Sequence, residues 1–299
     1  MKAIYNIKQI IIFLLVLIIL PSCGSDDKSK ANKVNKLEIL AIKVNKPQAY
    51  AGDEITAEAL VGHPEGYDKE YSKIWLSCVG NKESCLVGDG ITGLPSINSD
   101  TFKFKIPENI IPEGEESQSV FFLFILCESD IETCQNEMMS EDGEGLNNKF
   151  LKVSYKTVEV IRDDSPIVNH NPKIKSIYLN GTELTSDNIT LKADKDDKDN
   201  RDDNIFTAEV TSSSFDEVEN LKDKDKVDHE SIVFAWKSTL GDIEHYYTDQ
   251  EHDETIDDLD ENPFRTAKDS ESDTYKIYVI ALDYRGGTDW RILNVTSEK

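Results

Sequence analysis

Two acidic runs are the part of the sequence whose residue types suit metal binding. The first contains Asp194, Asp196, Asp197, Asp199, Asp202 and Asp203, and the second contains Glu251, Asp253, Glu254, Asp257, Asp258, Asp260 and Glu261. Calcium takes roughly six to eight oxygen ligands, which carboxylates supply. Neither run fits the EF-hand pattern, because Lys195 and Lys198 interrupt the first and the glycine of its sharp turn is absent. We interpret both runs as solvated loops, with calcium as the alternative and Asp194, Asp196, Asp199 and Asp203 as its candidate ligands.

The histidines are a weaker candidate for metal chemistry. His245 and His252 each follow a glutamate, Glu244 and Glu251. Catalytic zinc sites usually take rigid ligands from helices or strands, so we interpret this pair as surface residues of a polar loop. The sequence also lacks a G-x-S-x-G elbow, an H-E-x-x-H helix motif and a phosphate-binding glycine loop, and no Cys/His nucleophile pair is evident. It therefore predicts a protein that is not an enzyme and carries no cofactor.

The N-terminus has the pattern of an export signal. Residues 10–20 are uniformly apolar and follow Lys2 and Lys8. A membrane-spanning helix needs roughly twenty apolar residues, so this shorter run is typical of a secretory signal peptide. The stretch from Leu20 to Cys23 (LPSC) resembles a bacterial lipobox. By that resemblance, residues 1–22 are removed and Cys23 becomes the first residue, carrying acyl chains such as palmitate that hold it in a bilayer.

Residues 23–36 have no apolar periodicity and predict a flexible tether. Its start, Ser25-Asp26-Asp27, resembles the export signal of Bacteroidota surface lipoproteins, although any soluble tether is polar. The predicted location is the bacterial cell envelope, anchored by lipid in the outer membrane, on its periplasmic face or on the cell surface.

The charge balance excludes two classes of partner. The formal net charge is −25, and removal of residues 1–22 takes away two lysines and no acids, giving −27. Nucleic acids and anionic lipid surfaces both require a basic face on their partner. The sequence shows no basic stripe, so we expect no nucleic-acid binding.

Short strand-like segments fill the rest of the chain and predict two all-β domains. In the first half they are residues 37–44, 54–61, 72–79, 101–105, 119–127 and 150–161. In the second half they are residues 173–179, 188–193, 204–210, 231–240, 274–283 and 290–295. Residues 163–172 combine two prolines with turn-forming Asp and Asn, which indicates a linker. We therefore predict one domain over 37–162 and another over 173–299, with 119–127 as a central strand covered on both sides.

The two halves share a pattern that indicates internal duplication. In each, a strand containing Thr-Ala-Glu precedes a strand with a tryptophan, Trp75 or Trp236. Residues 51–59 (AGDEITAEA) and 63–66 (HPEG), followed by Trp75, resemble the start of bacterial Ig-like and PKD-type domains. In the second half, residues 239–241 (TLG) and 278–287 (YVIALDYRGG) resemble later strands of the same module. The resemblance implies two tandem immunoglobulin-like (PKD-type) β-sandwiches.

The four cysteines after Cys23 are expected to form disulfides, because the protein is exported. If Cys78 and Cys127 end two antiparallel neighbouring strands, they lie at opposite poles of the sandwich, too far apart to bond. We therefore predict two local clips, Cys78–Cys85 and Cys127–Cys134. A thiolate zinc site is the alternative, although neither pair has the tight spacing of common zinc ligands.

These features predict a membrane-anchored, non-catalytic binding or adhesion module. Its partners would be the lipid bilayer, through acylated Cys23, and an unidentified glycan or protein ligand contacted by loops on the rigid domains. The alternative is a structural spacer or assembly component of an envelope complex.

Overall fold

The computed structural model describes residues 32–80, 91–138, 151–194, 200–219, 227–268 and 274–298. Within these ranges the regular structure is almost entirely β. The exceptions are one α-helix, α1 (Ile131–Met138), and two short 3₁₀ turns, Arg201–Asp203 and Ser212–Ser214. The chain folds into two β-sandwiches, and no sheet combines strands from both.

The first sandwich contains eight described strands. They are β1 (Glu38–Val44), β2 (Gln48–Tyr50), β3 (Glu54–Gly62), β4 (Ser72–Val79), β5 (Ile91–Ile97), β6 (Thr101–Lys105), β7 (Ser117–Cys127) and β8 (Leu151–Ile161). One sheet has the order β1-β3-β6 and the other has the order β2-β8-β7-β4-β5. All pairings are antiparallel except β2 with β8, which is parallel.

Strand β7 lies at the centre of the larger sheet, as its uniformly apolar sequence predicts. Every residue from Val120 to Cys127 is buried. Side chains of alternate parity point to opposite faces of a sheet. Phe122 and Phe124 therefore enter the core beside Trp75, whereas Ile125 and Cys127 pack on the outer face with Cys134 of α1.

The second sandwich is built from twelve described strands. They are β9 (Ile174–Leu179), β10 (Thr182–Glu183), β11 (Asn188–Lys192), β12 (Ile205–Val210), β13 (Glu217–Glu219), β14 (Val227–His229), β15 (Ile232–Ser238), β16 (Asp242–Ile243), β17 (Tyr247–Gln250), β18 (Asn262–Arg265), β19 (Thr274–Leu282) and β20 (Thr288–Glu298). The sheets have the orders β10-β9-β12-β18-β16 and β11-β20-β19-β15-β17, and β13 and β14 form a separate hairpin.

Both sandwiches have the same plan. The order β1-β3-β6 corresponds to β9-β12-β18, and β2-β8-β7-β4-β5 corresponds to β11-β20-β19-β15-β17. The parallel pair β2–β8 recurs as β11–β20. Trp75 on β4 and Trp236 on β15 are both buried at matching positions. The indole nitrogen of Trp236 donates to Thr248 Oγ1 at 2.8 Å, which satisfies the polar end of a ring enclosed by apolar side chains.

The two sandwiches lie side by side, and the strands of both run between the same two ends of the molecule. The chain enters at residues 32–38, and we call this end the entry pole; β8 finishes at the opposite end, the far pole. Lys237 contacts Glu38 near the entry pole, while Asp289 contacts Lys43 nearer the far pole. Strand β8 has eleven residues, so the poles are about 35 Å apart at the usual rise per residue.

Candidate functional site

One predicted disulfide is confirmed. Cys127, the last residue of β7, is bonded to Cys134 in α1, with their Cα atoms 6.0 Å apart. Helix α1 begins here because Asp130 caps it: the backbone N–H of Thr133 donates to Asp130 Oδ1 at 2.9 Å. Hydrogen bonds from Thr133 lower the pKa of the Asp130 carboxyl. The clip therefore fastens a capped helix over the outer face of the larger sheet.

The described residues cover the other predicted cysteine roles only in part. Cys78 is buried on β4 and is disulfide-bonded. Its predicted partner Cys85 and the predicted lipid attachment residue Cys23 both lie outside the described residues. The Cys78–Cys85 pairing and the acylation of Cys23 remain predictions.

The first acidic run is only partly described. Asp194 is 2% exposed, and neither of its carboxylate oxygens has a hydrogen-bond partner among the described residues. Asp203 is exposed in the 3₁₀ turn, whereas Asp196 and Asp199 lie outside the described residues. Within the described ranges, no three His, Cys, Asp or Glu side chains are grouped so that they could hold a metal ion. Calcium binding at this run remains the alternative interpretation and is not tested by the described residues.

Carboxylates of the second acidic run cap backbone turns. The hydroxyl and the backbone N–H of Thr255 donate to Asp258 Oδ2 at 2.7 and 3.1 Å, and these hydrogen bonds lower the pKa of the Asp258 carboxyl. Asp249 and Asp260 lie together, so a shared hydrogen bond, burial and nearby acids raise the pKa of the Asp249 carboxyl. These carboxylates therefore form hydrogen bonds that shape the loop.

The predicted histidine pair is not brought together. His245 is held through its backbone, whose N–H donates to Asn262 Oδ1 at 3.0 Å. His252 instead stacks on His229, with ring centroids 3.7 Å apart, and Phe215 contacts its edge. Sequence reasoning missed His229, because it lies on β14, more than twenty residues before His252 and outside the acidic run.

Polar and apolar contacts outside the two cores lie between the domains. We call this interface the seam. Its apolar part is a cluster of buried side chains from both domains: Val34, Leu60, Ala235, Tyr278 and Ile280. The outer face of β15, β19 and β20 packs against β1 and β3, so the seam is a contact between two sheets. Lys43 crosses it to reach Asp289 at 3.2 Å and to cover the ring of Trp290.

The linker also binds both domains. The amide of Asn171 donates to the Val44 carbonyl at 2.6 Å and accepts from the N–H of Thr288 at 2.9 Å. The N–H of Val168 donates to Gln48 at 2.7 Å. Residues 163–172 therefore form hydrogen bonds with both domains across the seam.

The last part of the predicted tether belongs to the folded structure. Val34 N–H donates to the Ser238 carbonyl at 2.8 Å, and Ser238 N–H donates to the Asn32 carbonyl at 2.9 Å. The Asn32 side chain donates to the Ile243 carbonyl at 2.7 Å. This arrangement differs from a flexible tether extending to residue 36. The apolar Val34 and Leu37, each 1% exposed, explain the difference, because burying them favours docking.

A lysine is partly buried where β8 meets the second domain. Lys156 donates to Thr288 Oγ1 at 2.5 Å across the seam. Burial disfavours its charged form and lowers its pKa to about 8, although the nearby Asp283 carboxylate acts in the opposite direction. Asp283 is itself fixed, since its Oδ1 accepts from the N–H groups of Arg285 and Gly287.

A cleft of about 440 Å³ lies at the far pole of the first domain. We call it the far-pole cleft. Its lining mixes apolar and charged residues and consists of Ala51, Glu108, Ile111, Pro112, Glu113, Ile161, Arg162 and Asp163. Three loops form it: the β2–β3 turn, the β6–β7 loop and the start of the linker.

These observations define the class of protein. Each half has two packed sheets in the strand order of an immunoglobulin-like sandwich, with a buried tryptophan on a central strand. The chain therefore consists of tandem all-β, immunoglobulin-like domains, and the predicted fold class is confirmed. None of the described helices is long and apolar enough to pass through a bilayer.

Comparison with known proteins adds little beyond the fold. No protein-family model matches the sequence, and no curated protein is significantly similar to it. Among solved structures, the D0-D1 domain of intimin is 8% identical, covering 87% of this chain and 99% of that one, with a TM-score of 0.22. The Ig1-2 module of the Drosophila receptor tyrosine phosphatase DLAR is 8% identical, covering 88% and 100%, with a TM-score of 0.25. The Yersinia pseudotuberculosis adhesin InvE is 10% identical, covering 92% and 62%, with a TM-score of 0.22. Similarities this low carry no argument about ligand or activity.

Proposed function

We propose that this chain is a lipid-anchored, non-catalytic binding module of the bacterial cell envelope. The observation that carries the proposal is the seam, which joins two sandwiches and the end of the tether into one body. An acyl anchor on Cys23 would act on this whole body and keep it close to the membrane. The loops of the opposite end are then free to meet a glycan or protein ligand, as loops on rigid β-scaffolds commonly do.

The positions of the two poles support an orientation relative to the membrane. Residues 23–31 precede the first described residue and span at most about 30 Å when extended. The entry pole would therefore stay close to the bilayer, and the far pole would stand about 35 Å beyond it. The far pole carries the hairpin turn between β19 and β20, where Tyr284 is 77% exposed. It also carries the far-pole cleft, so the exposed surface faces away from the membrane.

The anchor is tested by replacing Cys23. Cys23→Ser should abolish both the acylation and the removal of residues 1–22, whereas intact-mass spectrometry of the native protein should show an acylated Cys23 without residues 1–22. Protease treatment of intact cells then separates the cell surface from the periplasmic face. An unmodified Cys23 with the leader retained would contradict the proposal. Lys28→Ser, a change in the tether, serves as the matched control and should leave the protein in the membrane fraction.

Binding is tested with the soluble chain, residues 24–299, which keeps every described contact. We expect it to bind members of a glycan or envelope-protein array above background. Absence of binding, with and without calcium, would favour the spacer. The seam also supports that second function, since a rigid two-domain body sets a fixed distance from the membrane.

A further inference from the structure

Asp194, which follows β11, carries a buried carboxylate whose charge is not balanced by any described group. The residue is 2% exposed, and both carboxylate oxygens are enclosed without a hydrogen-bond partner among the described residues. It also forms no ion pair in the described part of the chain. A carboxylate taken out of water is strongly unfavourable unless an opposite charge or hydrogen bonds compensate for the lost hydration. Asp194 therefore requires a bound cation or a proton.

The backbone around Asp194 is held by neighbouring strand ends. Its N–H donates to the Ala267 carbonyl at 3.0 Å, and the N–H of Ala193 donates to the Glu298 carbonyl at 2.9 Å. These bonds tie the end of β11 to the segment after β18 and to the end of β20. Because β11 runs parallel to β20, whose hairpin with β19 lies at the far pole, Asp194 lies at the entry pole.

Asn200 connects the segments on either side of Asp194. Its amide nitrogen donates to the Thr266 hydroxyl at 2.8 Å and to the Lys192 carbonyl at 3.4 Å, and its amide oxygen accepts from the Thr266 N–H at 3.2 Å. Thr266 is itself 2% exposed and directly precedes Ala267. These segments therefore supply amide, hydroxyl and backbone carbonyl oxygens, each of which has a second lone pair.

Oxygen groups of this kind suit calcium, which binds carboxylates, amide and backbone carbonyls and water. The described ranges hold no group of three His, Cys, Asp or Glu side chains that could bind a metal, so a site here has one carboxylate and neutral oxygens. We propose that Asp194 is the carboxylate ligand of a calcium site at the entry pole. A single carboxylate gives weak binding, with a Kd on the order of 10⁻⁴–10⁻³ M, as in extracellular modules.

Calcium at the entry pole would stabilise the fold. The ion would hold together the end of β11, the loop that contains Asn200 and the segment after β18, which are separate in sequence. The loops that we propose to contact a ligand lie at the far pole, so the calcium site does not depend on the proposed function. Its measurable consequence is a melting temperature that depends on calcium.

The test measures thermal melts of soluble residues 24–299 with calcium chloride, with EDTA as the calcium-free reference. Calcium at ten times its Kd should raise the melting temperature of the wild type by about 3–5 °C. Magnesium should have much less effect, because it requires octahedral geometry and releases its waters reluctantly. Asp194→Asn keeps the size of the side chain and removes the charge, so it should abolish the calcium shift. In EDTA it should melt at or above the wild-type temperature, because the unbalanced buried charge is gone.

The matched control is Asp257→Asn, which makes the same charge change at an exposed residue of the second acidic run and should keep the full calcium shift. A shift that Asp194→Asn retains, that Asp257→Asn loses equally, or that magnesium reproduces would mean diffuse binding to the acidic surface and would overturn the site. No shift in the wild type would mean that a proton balances Asp194, and would overturn it too.

Two further results bear on the site. A lower melting temperature of Asp194→Asn in EDTA would mean that a protein group partners the carboxylate, and the calcium site would be wrong. If Asp194→Asn does not fold, NMR of the wild type decides: calcium should shift the amide signals of Asp194 and Ala267 more than that of Asp257. Equal shifts at the three residues would overturn the proposal.

Discussion

Lys156 allows the seam to be tested by pH. Its pKa in the folded protein is lowered to about 8, from an ordinary value of 10.5, chiefly because β8 carries it into the contact with the second domain. Between these two values the unfolded chain holds a proton that the folded protein has lost. The free energy of unfolding therefore rises with pH in this window, whereas below pH 8 both states are protonated and the contribution is constant.

The size of the effect follows from the shift. A change from 10.5 to about 8 corresponds to about 3 kcal/mol of stability gained across the window, at about 1.4 kcal/mol per unit of pKa. Lys156→Met keeps the length of the side chain and removes the titrating group. The difference in unfolding free energy between wild type and variant should then be flat from pH 6 to 7.5 and should change by up to about 3 kcal/mol in favour of wild type by pH 10.5.

Urea titrations followed by tryptophan fluorescence at several pH values measure this difference, because Trp75 and Trp236 are buried in the two cores. Subtracting the curves cancels titrations common to both proteins. Lys105→Met, an exposed lysine on β6, supplies the matched control and should give a flat difference. If the Lys156→Met difference is equally flat between pH 8 and 10.5, Lys156 is not buried in the seam and the two domains do not pack as described.

Three further changes probe other contacts. Val34→Ala should lower the free energy of unfolding in urea by about 2 kcal/mol, because Val34 is 1% exposed in the seam. The control Val168→Ala should leave it almost unchanged, because Val168 is 47% exposed. Equal losses in the two variants would argue against docking of the tether. Cys134→Ser should lower stability by about 2 kcal/mol in thermal melts, as expected for opening a short loop; an unchanged melting temperature would mean that the clip is not formed. Gly287→Ala should cost about 1–3 kcal/mol by overpacking, since its Cβ would overlap Asp283 and the His170 carbonyl; a neutral result would refute the close packing of that turn.

Much of the fold is predictable from the sequence, because strand formation here follows local hydrophobic patterns. Strands β4 and β6 occupy the predicted residues 72–79 and 101–105, and β3 and β19 differ from prediction by one residue at one end. The two tryptophans mark equivalent central strands because a buried indole needs a large apolar core on both sides. Alternation of apolar and polar residues with a period of two was sufficient to predict a strand wherever that strand buries one face.

The strands that escaped prediction are short, polar or contain proline. Strand β5 includes Gly93 and Pro95, and β18 includes Pro263. Proline lacks an N–H for the ladder and normally argues against a strand. Both segments pair nonetheless, because a neighbouring strand supplies the remaining hydrogen bonds. Such pairing is a tertiary effect that local pattern does not encode.

The candidate sites were less predictable than the fold. The sequence identified residues rich in acids, yet the described ones mostly cap turns, and the stacked His229 and His252 come from separate elements. The seam was not predictable from the sequence. Strands β15 and β19 have buried residues at both parities, which is also the pattern of an ordinary strand covered on both faces. The far-pole cleft joins three loops distant in sequence, and only the closed sandwich brings them together.

The docking of residues 32–34 has a mechanical consequence. These residues hydrogen-bond to β15 of the second domain and continue directly into β1 of the first. A pulling force on the N-terminal segment, from a moving cell or a bound partner, would act on both domains at once. Both backbone hydrogen bonds to Ser238 precede β1 along the chain, so they lie first in the path of such a pull. The chain would resist extension at its first turn into the fold, before either sandwich is strained.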